Sequence, residues 1–138
     1  MLQQIWANRM LTNGGPFHQQ FAEALSRYLG VEHVSLVANA TLGLMLVAGL
    51  LEPGCEVITT PFSFVATGHA LLWARVTPVF VDIDPRTLNI DPNLIERAIT
   101  PRTKAILGVH CYGQPCDVEV IEAIGRRHGL QVIYDAAH

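Results

Sequence analysis

The stretch KAILGVHCYGQPCDVEVIEAIGRRHGLQVIYD, residues 104–135, decides the fold. It opens on a Val/Ile-rich run, KAILGV (104–109), that lacks the in–out alternation of a half-exposed strand. Asp117 then offers a cap to a helix whose Val120, Ile121 and Ile124 share a face, and Gly129 fits a left-handed stop. A second apolar run, QVIYD (131–135), follows directly. Two apolar runs joined by one amphipathic helix form a βαβ unit, and the absence of alternation predicts parallel strands covered on both faces.

The same alternation extends outward. Further β-like runs are HVSLV (33–37), EVITT (56–60) and TPVFVD (77–82). After Gly15-Pro16, the residues Phe17, Phe21, Leu25, Tyr28 and Leu29 form one apolar stripe that Gly30 terminates. FVATGHALLWA (64–74) reads as a helix, and Asp91-Pro92 caps another that carries Leu94, Ile95, Ala98 and Ile99 until Pro101 forbids continuation. The expected class is α/β, a mainly parallel sheet with helices on both faces, in a single domain over 1–138.

Composition narrows the function. Half of the residues are hydrophobic and 15% are charged, which excludes a disordered chain. A net charge of −3 gives no electrostatic reason to expect nucleic acid or an anionic membrane as partner. Three cysteines, Cys55, Cys111 and Cys116, fit a reduced, cytoplasmic protein, and no second ligand pair at the right spacing supports a metal. The N-terminus has no secretory pattern. The longest apolar run, LGLMLVAGLL (42–51), is half the ~20 residues a bilayer span needs, so it reads as a buried helix.

In parallel sheets ligands bind beyond the carboxyl ends of the strands. Three groups fall there. Asn39-Ala40-Thr41 precedes an apolar helix; a hydroxyl and free N–H groups at that helix mouth suit phosphate, although capping is the ordinary use of such residues. Phe64, in PFSF after EVITT, can present a ring at the sheet's edge or serve the core. Asp135 and His138, in VIYDAAH, put a carboxylate at the end of an apolar strand, which is costly without a partner; a helix cap is the alternative. Among the other histidines, His110 alone follows a strand closely. A phosphate cradle, an aromatic face and a carboxylate together match pyridoxal phosphate, whose ring nitrogen a carboxylate would hold protonated. On these residues alone a nucleotide-binding α/β domain stays open.

The chain resembles the sugar-nucleotide aminotransferases of the DegT/StrS family, which have the fold of type I pyridoxal phosphate enzymes. The likeness runs from GGPFHQQFAEALSRYLGVEHV through NATLGL, LEPGCEVITTPFSFVAT, TPVFVDIDPRTLNIDPNLIERAITPRTKAI and VHCYGQPCD to VIYDAAH. The resemblance implies that Thr41 and the backbone N–H of Leu42 hold the cofactor phosphate, that Phe64 stacks on the pyridine ring, that Asp135 binds the ring nitrogen, and that His138 lies near the phenolic oxygen. It also implies a cytoplasmic homodimer that passes an amino group, with glutamate as donor, to a keto sugar on a nucleoside diphosphate. Members of the family are much longer. The lysine that carries their cofactor lies beyond the DAAH-type motif, whereas Lys104 is the one lysine here. The expectation is therefore a partial large domain, without the remainder of that domain or the small C-terminal domain, and inactive alone. A same-family dehydratase, or a domain with only a binding or assembly role, are the rival expectations.

Overall fold

A computed structural model of the chain describes residues 1–12 and 14–138. Its contacts divide it into two compact units, Met1–Ala38 and Asn39–His138.

The first unit holds helices α1 (Leu2–Asn8) and α2 (Pro16–Leu29). Pro16 stands in the first turn of α2, where its missing N–H costs nothing, and Gly30 closes the helix at φ 67° with its N–H on the Ser26 carbonyl. The helix forms as expected, yet no residue of α2 is buried, because 38 residues cannot build a core that covers its stripe. HVSLV (33–37) is not a strand: its exposure alternates, but it has no ladder partner among the described residues, and an unpaired strand has nothing to hold it.

The second unit is built on four parallel strands, β1 (Glu56–Thr59), β2 (Thr77–Phe80), β3 (Thr103–Val109) and β4 (Gln131–Asp135), in the order β2-β1-β3-β4. The central pair β1 and β3 is buried almost throughout, as its unbroken apolar runs predicted. The outer strands β2 and β4 are only half covered. Helices α3 (Ala40–Ala48) and α4 (Val65–Trp73) serve one face of the sheet, where Ala48, Leu51, Val57, Leu71, Val76 and Leu107 pack together. The short α5 (Pro92–Ile95) and α6 (Val118–His128) serve the other, around Ile58, Ile90, Ile95, Ile106, Ile121 and Ile124. The Asp91-capped helix is shorter than its stripe suggested, since a 3₁₀ turn replaces it from Glu96 to Ala98 before Pro101.

The apolar run 42–51 also departs from expectation. It is helical through Ala48, but Ala48 is the only buried residue of α3, while Leu46 and Leu50 are 63% and 84% exposed. One face of α3 meets α4 and the sheet, and no element of the second unit covers the other.

Two contacts fix how the layers meet. Gly125 of α6 lies so close to β4 that a β-carbon there would stand 2.6 Å from a methyl of Val132. At the amino end of the sheet, Glu56 is buried and holds the Thr100 hydroxyl and the Arg102 guanidinium. The Thr100 hydrogen bond, with help from Arg102, keeps the Glu56 carboxyl below its usual range.

Gly125→Ala should therefore destabilise the chain by about 1–3 kcal/mol despite alanine's better helix propensity, read as a fall in thermal midpoint. The depressed Glu56 carboxyl contributes stability that is present above its unfolded pKa of about 4.3 and is lost as pH falls through the lower folded value. Glu56→Gln should lower stability at neutral pH and flatten the fall in stability below about pH 4.3, as measured by urea titrations across that range.

Candidate functional site

The strand order places the site. The chain leaves β1 toward β2 on one side and reaches β3 on the other, so the connections after β1 and β3 diverge at their carboxyl ends and open a crevice. A cleft of about 350 Å³, open space at its mouth included, lies there and is mostly apolar. Thr41 from α3, Phe64 from the turn after β1, Val109 at the end of β3, and Asp135 and His138 at the end of β4 all line it. Four of the five expected site residues are thus brought together, from segments nearly a hundred residues apart in sequence.

Asp135 is the floor. Its side chain is buried, at 8% exposure, where β4 pairs with β3 through Val109 and the His110 N–H donates to the Asp135 carbonyl. The Thr67 hydroxyl donates to Oδ2 at 2.8 Å and the Ala137 N–H donates to Oδ1 at 3.2 Å. Both donors are neutral, and among the described residues no Lys, Arg or His pairs with this carboxylate. A carboxylate can accept about four hydrogen bonds, so capacity remains on the side that faces the cleft.

Phe64 caps α4 by its backbone alone, and its ring is 67% exposed at the cleft's mouth rather than in the core. Thr41 stands in the first turn of α3, near the positive end of that helix. Leu42 is different. Its N–H donates to Asn39 Oδ1 at 2.9 Å, so Asn39 is a helix cap, and Leu42 does not line the cleft.

His138 is oriented by a loop. The Tyr112 N–H donates to His138 Nδ1 at 2.9 Å, which leaves the proton of a neutral ring on Nε2, and the two rings lie parallel with centroids 5.8 Å apart. Tyr112 adopts φ 53°, a left-handed conformation that costs a bulky residue about 1–2 kcal/mol, and Gly113 follows it at φ 78°. Asn89 holds this loop in place. Buried to 2% exposure, it donates to the carbonyls of Gln114 and Pro115 and accepts from the Cys111 N–H, all within 3.0 Å.

His110 lies outside the cleft: it accepts the Cys116 N–H and stacks on Tyr134. Cys111 and Cys116 are buried free thiols; burial pushes Cys116 up to about 11, and its Sγ donates to the Val109 carbonyl. No signal in the sequence pointed to Asn89 or to the Tyr112 amide. Thr67 had one, a hydroxyl in a mostly apolar helix four residues after Ser63.

The chain matches the DegT/DnrJ/EryC1/StrS aminotransferase family over residues 1–138. It belongs to that family. To a dTDP-4-amino-4,6-dideoxy-D-glucose transaminase of Escherichia coli it is 58% identical over 137 residues, which are 99% of this chain and 37% of that protein. DesI, solved in the presence of its TDP-sugar product, is 43% identical with a TM-score of 0.91 over 99% of this chain and 35% of its own. NtdA from Bacillus subtilis, solved with bound cofactor PMP, is also 43% identical with a TM-score of 0.91, over 98% of this chain and 31% of its own. The chain thus spans 37% of the length of the Escherichia coli family member.

Asn89→Ala should leave the amide and carbonyls of the 111–115 loop unpaired and cost about 3 kcal/mol, with faster hydrogen exchange at the Cys111 amide as the local readout.

Proposed function

We propose that this chain is the cofactor-holding part of a pyridoxal-phosphate-dependent aminotransferase that passes an amino group, from glutamate, to a keto sugar on a nucleoside diphosphate. The single observation that carries the reading is Asp135, a buried carboxylate at the strand end with neutral donors behind it and an unfilled face toward the cleft. A protonated ring nitrogen is the partner that such a group lacks. Family membership and the PMP-bound relative support the cofactor, and the Escherichia coli relative's name supports a hexose carbonyl at C4 of a dTDP-linked sugar as acceptor.

The residues present fit the group. Asp135 would hold the ring nitrogen and keep it protonated, and the ring of Phe64 would stack on the cofactor and exclude water from one side. The hydroxyl of Thr41 and the N-terminal amides of α3 would hold the phosphate, the Leu42 N–H only by sharing it with Asn39. His138 would donate its Nε2 proton toward the phenolic oxygen, its ring set by the Tyr112 amide. When bound, pyridoxal phosphate supplies the electron sink on which transamination depends.

Lys104 is the second residue of β3, while Asp135 closes β4, and the strands are parallel, so the one lysine stands at the far end of the sheet from the cleft. On this reading the 138 residues hold the cofactor without a covalent bond and do not turn over by themselves. We further place the protein in the cytoplasm as a homodimer. The exposed leucines of α3, Leu42, Leu46 and Leu50, support a covered face in the assembled protein, and no helix among the described residues is long and apolar enough to cross a membrane.

Titration of the chain with pyridoxal phosphate should show saturable binding that Asp135→Ala weakens about tenfold or more. Borohydride treatment followed by intact mass should show no covalent adduct. Failure to bind, or turnover of a keto sugar by the chain alone, would count against the reading.

A further inference from the structure

The hydrogen bond to Asp135 Oδ2 has an origin of its own. Thr67 is 1% exposed, on the side of α4 that faces the sheet, and its Oγ1 lies 2.8 Å from the carboxylate. A hydroxyl has one proton, and a carboxylate oxygen accepts, so that proton goes to Asp135. The Thr67 oxygen is then left as an acceptor. Ser63 Oγ donates to it at 2.6 Å, and Ser63 lies in the turn after β1, directly before Phe64. The three side chains form a directed line, Ser63 to Thr67 to Asp135, that runs from the turn carrying Phe64 to the floor of the cleft.

We infer that Ser63 and Thr67 are positioning residues that hold the Asp135 carboxylate aimed at the ring nitrogen of a bound pyridine cofactor. This rests on the cofactor reading above. The geometry supports a positioning role over a merely structural one in two ways. The bond spans 68 residues and ties α4 to the one carboxylate that faces the cleft, on the oxygen opposite the Ala137 amide. Ser63 is also the chain neighbour of Phe64, so the turn carrying the ring that would stack on the cofactor is tied to the carboxylate by the same line of hydrogen bonds. Such outer partners fix the orientation of the groups in front of them. A threonine also suits the place: it is buried in α4, and its hydroxyl is spent entirely within the line.

The test uses the 138-residue chain, pyridoxal phosphate labelled with nitrogen-15 in the ring, and four variants. Thr67→Val keeps the shape and removes the donor; it should weaken binding about tenfold and move the ring nitrogen resonance toward the unprotonated form. Thr67→Ser returns the hydroxyl and should restore both. Ser63→Ala, at a partly exposed turn, should fold normally and weaken binding about twofold in the same direction. Loss of a purely structural contact would lower stability without moving the nitrogen resonance. Wild-type binding that Asp135→Ala weakens but Thr67→Val and Ser63→Ala leave unchanged would overturn the inference alone. A wild-type chain that takes up no cofactor, or binding indifferent to Asp135→Ala, would overturn the cofactor reading and this inference with it.

Discussion

A carboxylate taken out of water must be met by donors, and at Asp135 those donors are a threonine hydroxyl and a backbone amide. The rest of the second unit is arranged so that this is possible. The parallel register of β3 and β4 brings Val109 opposite Asp135, and α4 packs its polar Thr67 inward at the one point where an apolar residue would leave Oδ2 bare. The stability of the sheet comes from elsewhere, from the two aliphatic layers around Val57, Leu71 and Leu107 on one face and Ile58, Ile106 and Ile121 on the other. Those layers allow the carboxyl ends of the strands to carry the polar groups that line the cleft.

How much of this could be read from residues alone follows from the range of the interactions. The strands β1, β3 and β4 and the helices α2, α4 and α6 were legible because their signals are local: an apolar run, a cap such as Asp117, a left-handed glycine such as Gly129. HVSLV carried the same local signal and failed, since a strand is a pairing and the sequence around it says nothing of a partner. The exposed face of α3 failed for the same reason: LGLMLVAGLL is apolar all round, but burial depends on what else is there.

The site divides along the same line. Phe64, Asp135 and His138 line the cleft as expected because each stands just beyond a strand, and topology gathers such ends at one edge of a parallel sheet; Thr41 lines it from the first turn of α3, after a run that forms no strand. Leu42 shows the limit, because whether its N–H faces a ligand or a cap depends on the rotamer of Asn39, a matter of a single side-chain torsion. Thr67, Asn89 and the Tyr112 amide were not found. Their partners lie 68, 22 and 26 residues away, and the one local signal among them, the spacing of Ser63 and Thr67, does not name Asp135 as the partner.

The unrecognised residues share a role, and it bears on how the cleft is built. Thr67 holds Asp135, the Tyr112 amide holds His138, and Asn89 holds the loop in which Tyr112 is kept left-handed. Asp135 and His138 are thus each fixed from behind by a group that does not line the cleft. The unfavourable backbone of Tyr112 is the clearest sign: nothing in that residue favours φ 53°, so the conformation persists because Asn89 pins the loop, and what it achieves is an amide aimed at an imidazole nitrogen. An arrangement that accepts local strain to orient one ring nitrogen is preorganised before any ligand arrives, and the polar groups of the cleft need little reordering on binding.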